Sequence, residues 1–172
     1  ILDRSFVECS CYEEVVSLFA DKLKINCEKI KRKLNRIKWA ADPLLSLLMG
    51  LENDISLGSA KYNDYGILSV GISSAVNSLL NIKKFVFLEK KFNLSEIQTM
   101  VKDNSVELFI DNKDGFGTDS EEAIKLTNYL IKITEEQFQD YKNYLGGKVK
   151  FGLSSPAYIT LGEKVGATLD GR

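Results

Sequence analysis

Three cysteines are the residues whose chemistry stands out first. Cys9 and Cys11 lie two residues apart, and Cys27 follows within the next twenty residues. A thiol can act as a nucleophile or as a soft metal ligand, but a structural zinc site needs four ligands. The sequence contains no histidine, which excludes Ser-His-Asp hydrolysis, Cys-His catalysis and HExxH zinc sites within this chain. We therefore predict reduced, structural thiols of a cytoplasmic protein, with no catalytic group and no metal site in these residues.

The loop around Gly115 imitates a calcium-binding loop. With Gly115 at the sharp-turn position, three oxygen-bearing side chains would fall on ligand positions: Asn112, Asp114 and Glu121. The first ligand position would then be Ile110, whose aliphatic side chain cannot bind a hard cation. An ordinary turn in front of a helix is the better interpretation.

Six cations are clustered within ten residues: Lys29, Lys31, Arg32, Lys33, Arg36 and Lys38. Such a cluster can bind nucleic acid or an anionic membrane, or it can be the solvated end of a helix, where cations favour the helix dipole. The net charge of −1 gives no bulk attraction to polyanions. We favour the solvated helix face and expect neither a nucleic-acid nor a membrane partner.

The elements that would position these groups are mainly helices. Ser10 and Glu13 form a capping-box pattern. Apolar residues then recur at steps of three and four, at Val16, Phe19, Leu23, Cys27, Ile30, Leu34 and Ile37. This spacing predicts a long amphipathic helix. Asp42 followed by Pro43 predicts the start of a second, short and mostly buried helix, "PLLSLLMGLEN".

One stretch, residues 65–82, carries no charge in a chain that is 27% charged. Its first part, "GILSVG", has the composition of a short buried strand with glycines where the backbone turns or is closely approached. A helix follows whose apolar residues cover nearly every face, which predicts burial nearly all round. We expect this segment to lie in the middle of a large core.

The remaining elements are predicted from caps and alternation. Ser95 and Gln98 are interpreted as the cap of a short helix, and Thr118 and Glu121 as the cap of a long one that ends at Gly146–Gly147. "KVKFGL" alternates as a strand does, and "AYITLGEKVGATLDGR" is interpreted as a strand followed by a loop. With 172 residues and 44% hydrophobic content, the chain can form one core.

Several runs together resemble one family. The run "DPLLSLLMGLENDISLGSAKYNDYGILSVGISSAVNSLLNIKKFVFLEKKFNLSEI" is similar to a segment from the barrel of glycyl radical enzymes, the pyruvate formate-lyase superfamily. "FGTD", "GGKVKFGLSSPAYITLG" and "GATLDGR" follow in the order and at about the spacing of that family. The similarity extends from near Cys11 to Arg172 and is stronger to the glycerol dehydratase and choline lyase-like branch than to pyruvate formate-lyase itself.

The resemblance implies an α/β fold, in which residues 1–172 are one helix-rich segment of a ten-stranded barrel. It also implies radical chemistry, with a glycyl radical stored in a C-terminal loop and passed to substrate by a cysteine. Both loops are expected outside this segment. Cys11 and Glu13 imitate the Cys-x-Glu pattern of the family, but Cys11 lies too close to the "KYN" run and falls in the first turn of a helix. We expect no catalytic residue and no bound cofactor in this chain.

The resemblance also suggests where substrate would be met. Residues that align with "FGLSS" line the pocket of the family, which points to Leu153, Ser154 and Ser155 as substrate-binding residues. Several members have a tyrosine where Ser154 stands. A barrel-top loop with solvated serines is the alternative. The implied partners are a radical-SAM iron–sulfur activase, a small polar substrate and, as a further option, a second copy in a homodimer.

Two functional interpretations follow. In the first, the chain is an internal segment of a radical lyase, dehydratase or formate acetyltransferase-like enzyme, silent by itself. In the second, it is a degenerate or accessory helical module that acts by binding, for instance through the basic cluster. Leu169, where the family usually has proline, and Thr118, where it often has asparagine, keep the second interpretation open. We favour the first.

Overall fold

The protein is described here by a computed structural model that covers residues 4–110, 113–154 and 158–171, with the backbone alone for Arg4, Tyr158 and Ile159. Its described residues fall into two compact units. Unit 1 comprises Ile1–Lys22, Ser69–Lys132 and Leu153–Arg172, and unit 2 comprises Leu23–Leu68 and Ile133–Gly152.

Helices dominate the described chain. In order, the elements are α1 (Arg4–Val7), α2 (Tyr12–Leu34), α3 (Pro43–Leu48), β1 (Tyr65–Ser69), α4 (Ile72–Ile82), α5 (Leu94–Lys102), α6 (Glu121–Phe138), β2 (Val149–Leu153) and α7 (Tyr158–Val165). Single turns of 3₁₀-helix lie at Ile55–Leu57 and Glu107–Phe109, and a π-helical turn at Lys83–Leu88 continues α4. The helix-rich α/β class predicted from the sequence is confirmed.

The two described strands pair with each other. The N–H of Tyr65 donates to the carbonyl of Lys148 over 2.9 Å at one end, and the N–H of Ser154 donates to the carbonyl of Ser69 over 3.1 Å at the other. Both strands therefore advance in the same direction, and the pair is parallel. The strands predicted in "GILSVG" and "KVKFGL" both form, but the predicted burial of the first was wrong, since none of its residues is buried and Leu68 is 61% exposed.

Helix α4 is the centre of unit 1. None of its residues from 72 to 82 is exposed, as the charge-free sequence predicted. Val76, Leu79 and Ile82 are almost completely buried, and they belong to a cluster that includes Ile97 of α5 and Leu130 of α6. An apolar helix surface on every side has to be covered on every side, and this packing leaves the remaining residues of α4 half-buried rather than exposed.

Unit 2 has a much smaller core. Its buried apolar cluster consists of Cys27 of α2, Phe138 of α6 and Val149 of β2, and Ile133 of α6 is buried as well. Half-buried side chains pack around them, among them Tyr65 and Ile67 of β1. Apolar burial stabilises in proportion to the area removed from water, so this small core stabilises unit 2 less than the larger cluster stabilises unit 1.

Three predicted caps were wrong in detail. Ser10 bonds through both its N–H and its hydroxyl to Glu14, not to Glu13, because α2 begins at Tyr12 and places Glu14 at its third position. The capping box of α5 is formed by Asn93 and Glu96 instead of Ser95 and Gln98. In each case a suitable residue close by took the role, since a cap is decided by where the first helical turn closes.

At α6 the cap differs in the same way, and the end of the helix differs as well. The hydroxyl of Ser120 accepts from the N–H of Ala123, while the hydroxyl of Thr118 bonds to the carbonyl of Gly115. The helix ends at Phe138 and not at the glycine pair. Gly146–Gly147 instead lie in a tight loop that returns the chain to β2.

The strand predicted in "AYITLG" was also wrong, because Tyr158–Val165 is helical. A run of eight residues fits both the strand and the helix period, and Leu161 and Val165 are spaced as on one helix face. Lys164 in the last turn favours the helix dipole.

Candidate functional site

The candidate site lies at the carboxyl ends of β1 and β2. Ligands of parallel sheets bind at this edge, because the loops that follow the strands gather there. The side chain of Leu153 is 45% exposed at the end of β2, and Ser154 is half-buried next to it. Ser155, the third residue predicted to bind substrate, lies outside the described residues.

Ser154 is held in place by its backbone. Its N–H donates to the carbonyl of Ser69, the last residue of β1. Two residues after Ser69, Gly71 adopts φ +88°, a left-handed conformation that glycine tolerates. Helix α4 begins at the next residue, Ile72. The N–H of Ser154 is thus engaged within the sheet, whereas its side-chain hydroxyl is a polar group that can serve a ligand.

The opposite end of the strand pair, in unit 2, is fastened by a polar clamp. The side-chain N–H of Asn143 donates to the carbonyl of Asn63 over 2.6 Å, and its side-chain oxygen accepts from the N–H of Gly147 over 3.2 Å. A Cβ at Gly147 would lie 2.0 Å from the carbonyl oxygen of Asn63. Only glycine fits this approach, so the clamp sets the register in which β1 and β2 pair.

Asp64 reinforces the clamp with charge. Its carboxylate accepts from the N–H of Lys148 and forms an ion pair of 2.8 Å with the ammonium group of Lys150. The hydrogen bond from Lys150 is the main reason why the pKa of Asp64 is held below its usual range. The same bond raises the pKa of Lys150.

In unit 1 a buried amide fixes the loop that ends the described chain. Asn81 is 4% exposed and donates from its side chain to the carbonyl of Phe109 over 3.2 Å and to that of Leu169 over 2.7 Å. Thr168 bonds to the carboxylate of Asp170 in the same loop. Buried donors require partners, and here one amide ties two distant backbone segments to α4.

The sequence analysis missed both the clamp and the role of Asn81. The signal for Asn81 is visible in the sequence, since an amide inside an apolar, charge-free helix has to satisfy its donors within the core. The signals for the clamp are weaker: Asn63–Asp64 before the strand and Gly146–Gly147 before the next one. Neither pair reveals its partner, because the partner lies far away in the chain.

The thiols do not form a reactive centre. Burial raises the pKa of Cys27, which lies in the core of unit 2, and burial is also the main cause that raises the pKa of Cys9. Thiols with raised pKa are poor nucleophiles at neutral pH. Cys11 is half-buried directly in front of α2. Across residues 4–110, 113–154 and 158–171, no group of three or more Cys, Asp or Glu side chains is placed to hold a metal ion.

Lys31, the most buried cation of the basic cluster, makes contacts within unit 2. The ammonium group of Lys31 lies 2.6 Å from the carboxylate of Glu28 and 5.7 Å from the ring centres of both Phe138 and Tyr141. The hydroxyl of Tyr141 donates to the carbonyl of Lys31. These contacts give Lys31 a structural role within unit 2. In the part of the chain that the structure describes, no helix has the length and apolarity to cross a bilayer.

The chain is similar to a known protein family and to a curated enzyme. The model of the family "Pyruvate formate lyase-like" matches residues 4–162. Among curated proteins, the chain is 30% identical over 127 residues to the (2S)-3-sulfopropanediol dehydratase of Klebsiella oxytoca, a match that covers 69% of this chain and 15% of that enzyme.

Solved structures share the fold over nearly the whole chain. The glycerol-bound, B12-independent glycerol dehydratase of Clostridium butyricum is 25% identical, with a TM-score of 0.80 over 97% of this chain and 23% of its own. The 1,2-propanediol-dehydrating protein of Roseburia inulinivorans has a TM-score of 0.82 at 24% identity, over 96% of this chain and 24% of its own, which shows a common fold. The chain thus spans about a quarter or less of the relatives that it matches.

Proposed function

The chain belongs to the pyruvate formate lyase-like family, and we propose that it is part of a glycyl radical enzyme that acts on a small polar substrate. The family match over residues 4–162 carries this proposal. The fold supports it, since it agrees with a glycerol dehydratase at a TM-score of 0.80. Dehydration is favoured over acyl transfer, since the relatives described above are dehydratases.

The contribution of this chain would be to build and hold one part of the substrate pocket. The clamp around Asn143 sets the strand register at one end of the sheet, and the carboxyl ends of β1 and β2 then present Leu153 and Ser154. A serine hydroxyl can both donate to and accept from an alcohol of the substrate, while a leucine offers an apolar wall. We include Ser155 in this pocket on the basis of the family resemblance alone.

The radical itself would be supplied from outside these residues. Cys11 does not fit the substrate-activating role, because it lies directly in front of α2 and Glu13 belongs to the first turn of that helix. We propose that a glycyl radical is generated in the remaining polypeptide by a radical-SAM iron–sulfur activase.

We place the enzyme in the cytoplasm of a cell that lives without oxygen. Cys9, Cys11 and Cys27 are free thiols in the structure, which suits a reducing compartment. A protein-based carbon radical is destroyed by oxygen, which supports an anaerobic setting.

The proposal is tested on the native polypeptide, isolated without oxygen from its source. Intact mass and peptide mapping establish its length, and electron paramagnetic resonance after activation detects an organic radical. We expect a product several times longer than this chain, a radical signal, and turnover of a small polyol such as glycerol, 1,2-propanediol or a sulfonated propanediol. A native mass near 19.3 kDa without a radical would contradict the proposal.

The pocket is tested separately by Ser154→Ala. The loss of one hydrogen bond to substrate, about 0.5–1.5 kcal/mol, should raise KM by about 2- to 10-fold. Ser78→Ala is the matched control, because Ser78 is a half-buried serine on α4, away from the strand ends. An unchanged KM in the Ser154 variant would favour the alternative of a solvated loop.

A further inference from the structure

Helix α3 is amphipathic in the opposite sense to an ordinary surface helix. Its only buried residue is a serine, Ser46, which is 5% exposed. Three leucines of the same helix are largely exposed: Leu44 at 67%, Leu47 at 77% and Leu48 at 76%. The helix was predicted to be mostly buried, and within the described residues it is not.

The polar side of α3 is fastened inside unit 2. The hydroxyl of Ser46 donates to the carbonyl of Asp42 over 2.6 Å and accepts from the N–H of Ile55 over 2.9 Å. The side chain of Asp42 caps the helix by accepting from the N–H of Leu45 over 3.0 Å, and that of Asp54 caps the following 3₁₀ turn. The helix cannot rotate its leucines inward without breaking these bonds, so their exposure is built into the local structure.

The three leucines share one face. Positions i, i+3 and i+4 stand side by side on a helix, which places Leu44, Leu47 and Leu48 in one stripe. We call this the α3 stripe. No charged residue occurs from residue 43 to residue 51. This spacing of anchors is the one with which helices dock into apolar grooves of protein partners.

We propose that the α3 stripe is an interface, and that its occupant is an apolar surface of the remaining polypeptide of the same enzyme. This inference rests on the proposed function. The relatives have roughly three quarters of their chain outside the matched part, so protein of the same barrel is available to cover the stripe. The described residues leave the stripe uncovered, since its three leucines remain 67%, 77% and 76% exposed.

The chemistry of the stripe favours a protein occupant over a lipid surface. Helices that lie on membranes carry lysine and arginine along their polar face, whereas α3 has no charge and turns a hydrogen-bonded serine away from the stripe. A continuous exposed apolar patch is a feature of protein interfaces in general. A dry, uncharged partner surface is therefore required.

Hydroxyl-radical footprinting of the full native polypeptide tests the inference. The oxidation of Leu47 and Leu48, relative to the unfolded protein, should be as low as that of the buried Leu79 and Leu130. Protection should persist on dilution to a monomer. If the two leucines are oxidised as readily as in the unfolded protein, or if protection disappears on dilution, the stripe is not covered by the rest of the enzyme and the inference is refuted.

A pair of variants gives a second readout. Leu47→Glu should lower the yield of soluble native polypeptide and its melting temperature, while the matched Leu47→Met variant should retain both, because methionine remains apolar. Equal yield and equal melting temperature of the two variants would refute the inference. It would also be refuted if the wild type bound vesicles of anionic phospholipid and Leu47→Glu abolished that binding. Failure of the proposed function is seen independently, as a short native chain without a radical. Exposed leucines in a long, radical-bearing enzyme would refute the interface alone.

Discussion

Replacing Asn81 by alanine should destabilise the protein and release the loop at residues 167–171. The substitution removes two hydrogen bonds and leaves the carbonyl oxygens of Phe109 and Leu169 without this donor in the interior. Each bond contributes about 0.5–1.5 kcal/mol, and a buried acceptor such as the carbonyl of Leu169 costs about 1–3 kcal/mol when its donor is removed. Some of this is offset, because alanine favours a helix by up to about 0.7 kcal/mol more than asparagine.

The expected net loss is about 2–4 kcal/mol in the free energy of unfolding, which corresponds to a fall of about 5–15 °C in Tm for a chain of this size. Thermal unfolding followed by circular dichroism measures the shift. Hydrogen exchange supplies the local readout, since the amides near Phe109 and Leu169 should exchange faster in the variant.

Ser78→Ala serves as the control for this experiment. Ser78 lies one turn before Asn81 on the same helix, is half-buried, and gains the same kind of helix propensity on replacement. If Asn81→Ala lowers Tm no more than Ser78→Ala does, or if exchange near Leu169 is unchanged, the bridging role assigned to Asn81 is incorrect.

Three further outcomes are expected. Gly147→Ala should destabilise strongly, because its Cβ would strike a backbone oxygen at 2.0 Å, whereas Gly162→Ala, with open space around it, should be neutral or stabilising; urea unfolding compares the two. The pKa of Asp64 is lower in the folded protein than in the unfolded chain, where an ordinary Asp titrates near about 3.9. Asp64 therefore adds to the free energy of unfolding above that pH, and this stabilisation is lost as the pH falls through the folded pKa. Stability of Asp64→Asn, compared by acid titration, should therefore be lower than wild type near pH 7 and equal to it in strong acid. Iodoacetamide should modify the buried Cys27 more slowly than the half-buried Cys11 at pH 8, as measured by mass spectrometry of the peptides. Equal rates of modification would show that burial does not protect Cys27.

The patterns that could be read from the sequence were local ones. The charge-free residues 65–82 predicted a buried strand followed by a helix buried nearly all round; β1 and α4 form there and no residue of α4 is exposed, but β1 is not buried, since Leu68 is 61% exposed. The alternation in "KVKFGL" predicted β2. Where two local patterns were equally satisfied, as in Tyr158–Val165, the sequence could not decide, because a strand needs a neighbouring strand and a helix does not.

The candidate site was less accessible than the elements that carry it. Leu153 and Ser154 came from family resemblance, and the structure locates them at the end of β2, where Ser154 bonds to Ser69. The inward orientation of Ser46 could not be foreseen, since "PLLSLL" by itself predicts leucines turned towards a core. The hydrogen bonds from Ser46 to Asp42 and Ile55 decide the orientation instead.

The sequence by itself determined the class of the fold, the order of its main elements and the family, because periodicity, glycine spacing and ordered motifs are properties of neighbouring residues. Only the tertiary structure decided which distant groups meet. Asn81 reaches a carbonyl 88 positions away, and Asn143 reaches one 80 positions away. Such contacts depend on how the chain closes on itself, and the types of the two residues allow many partners. Their geometry, and with it the placement of the strand ends, exists only once the core has packed.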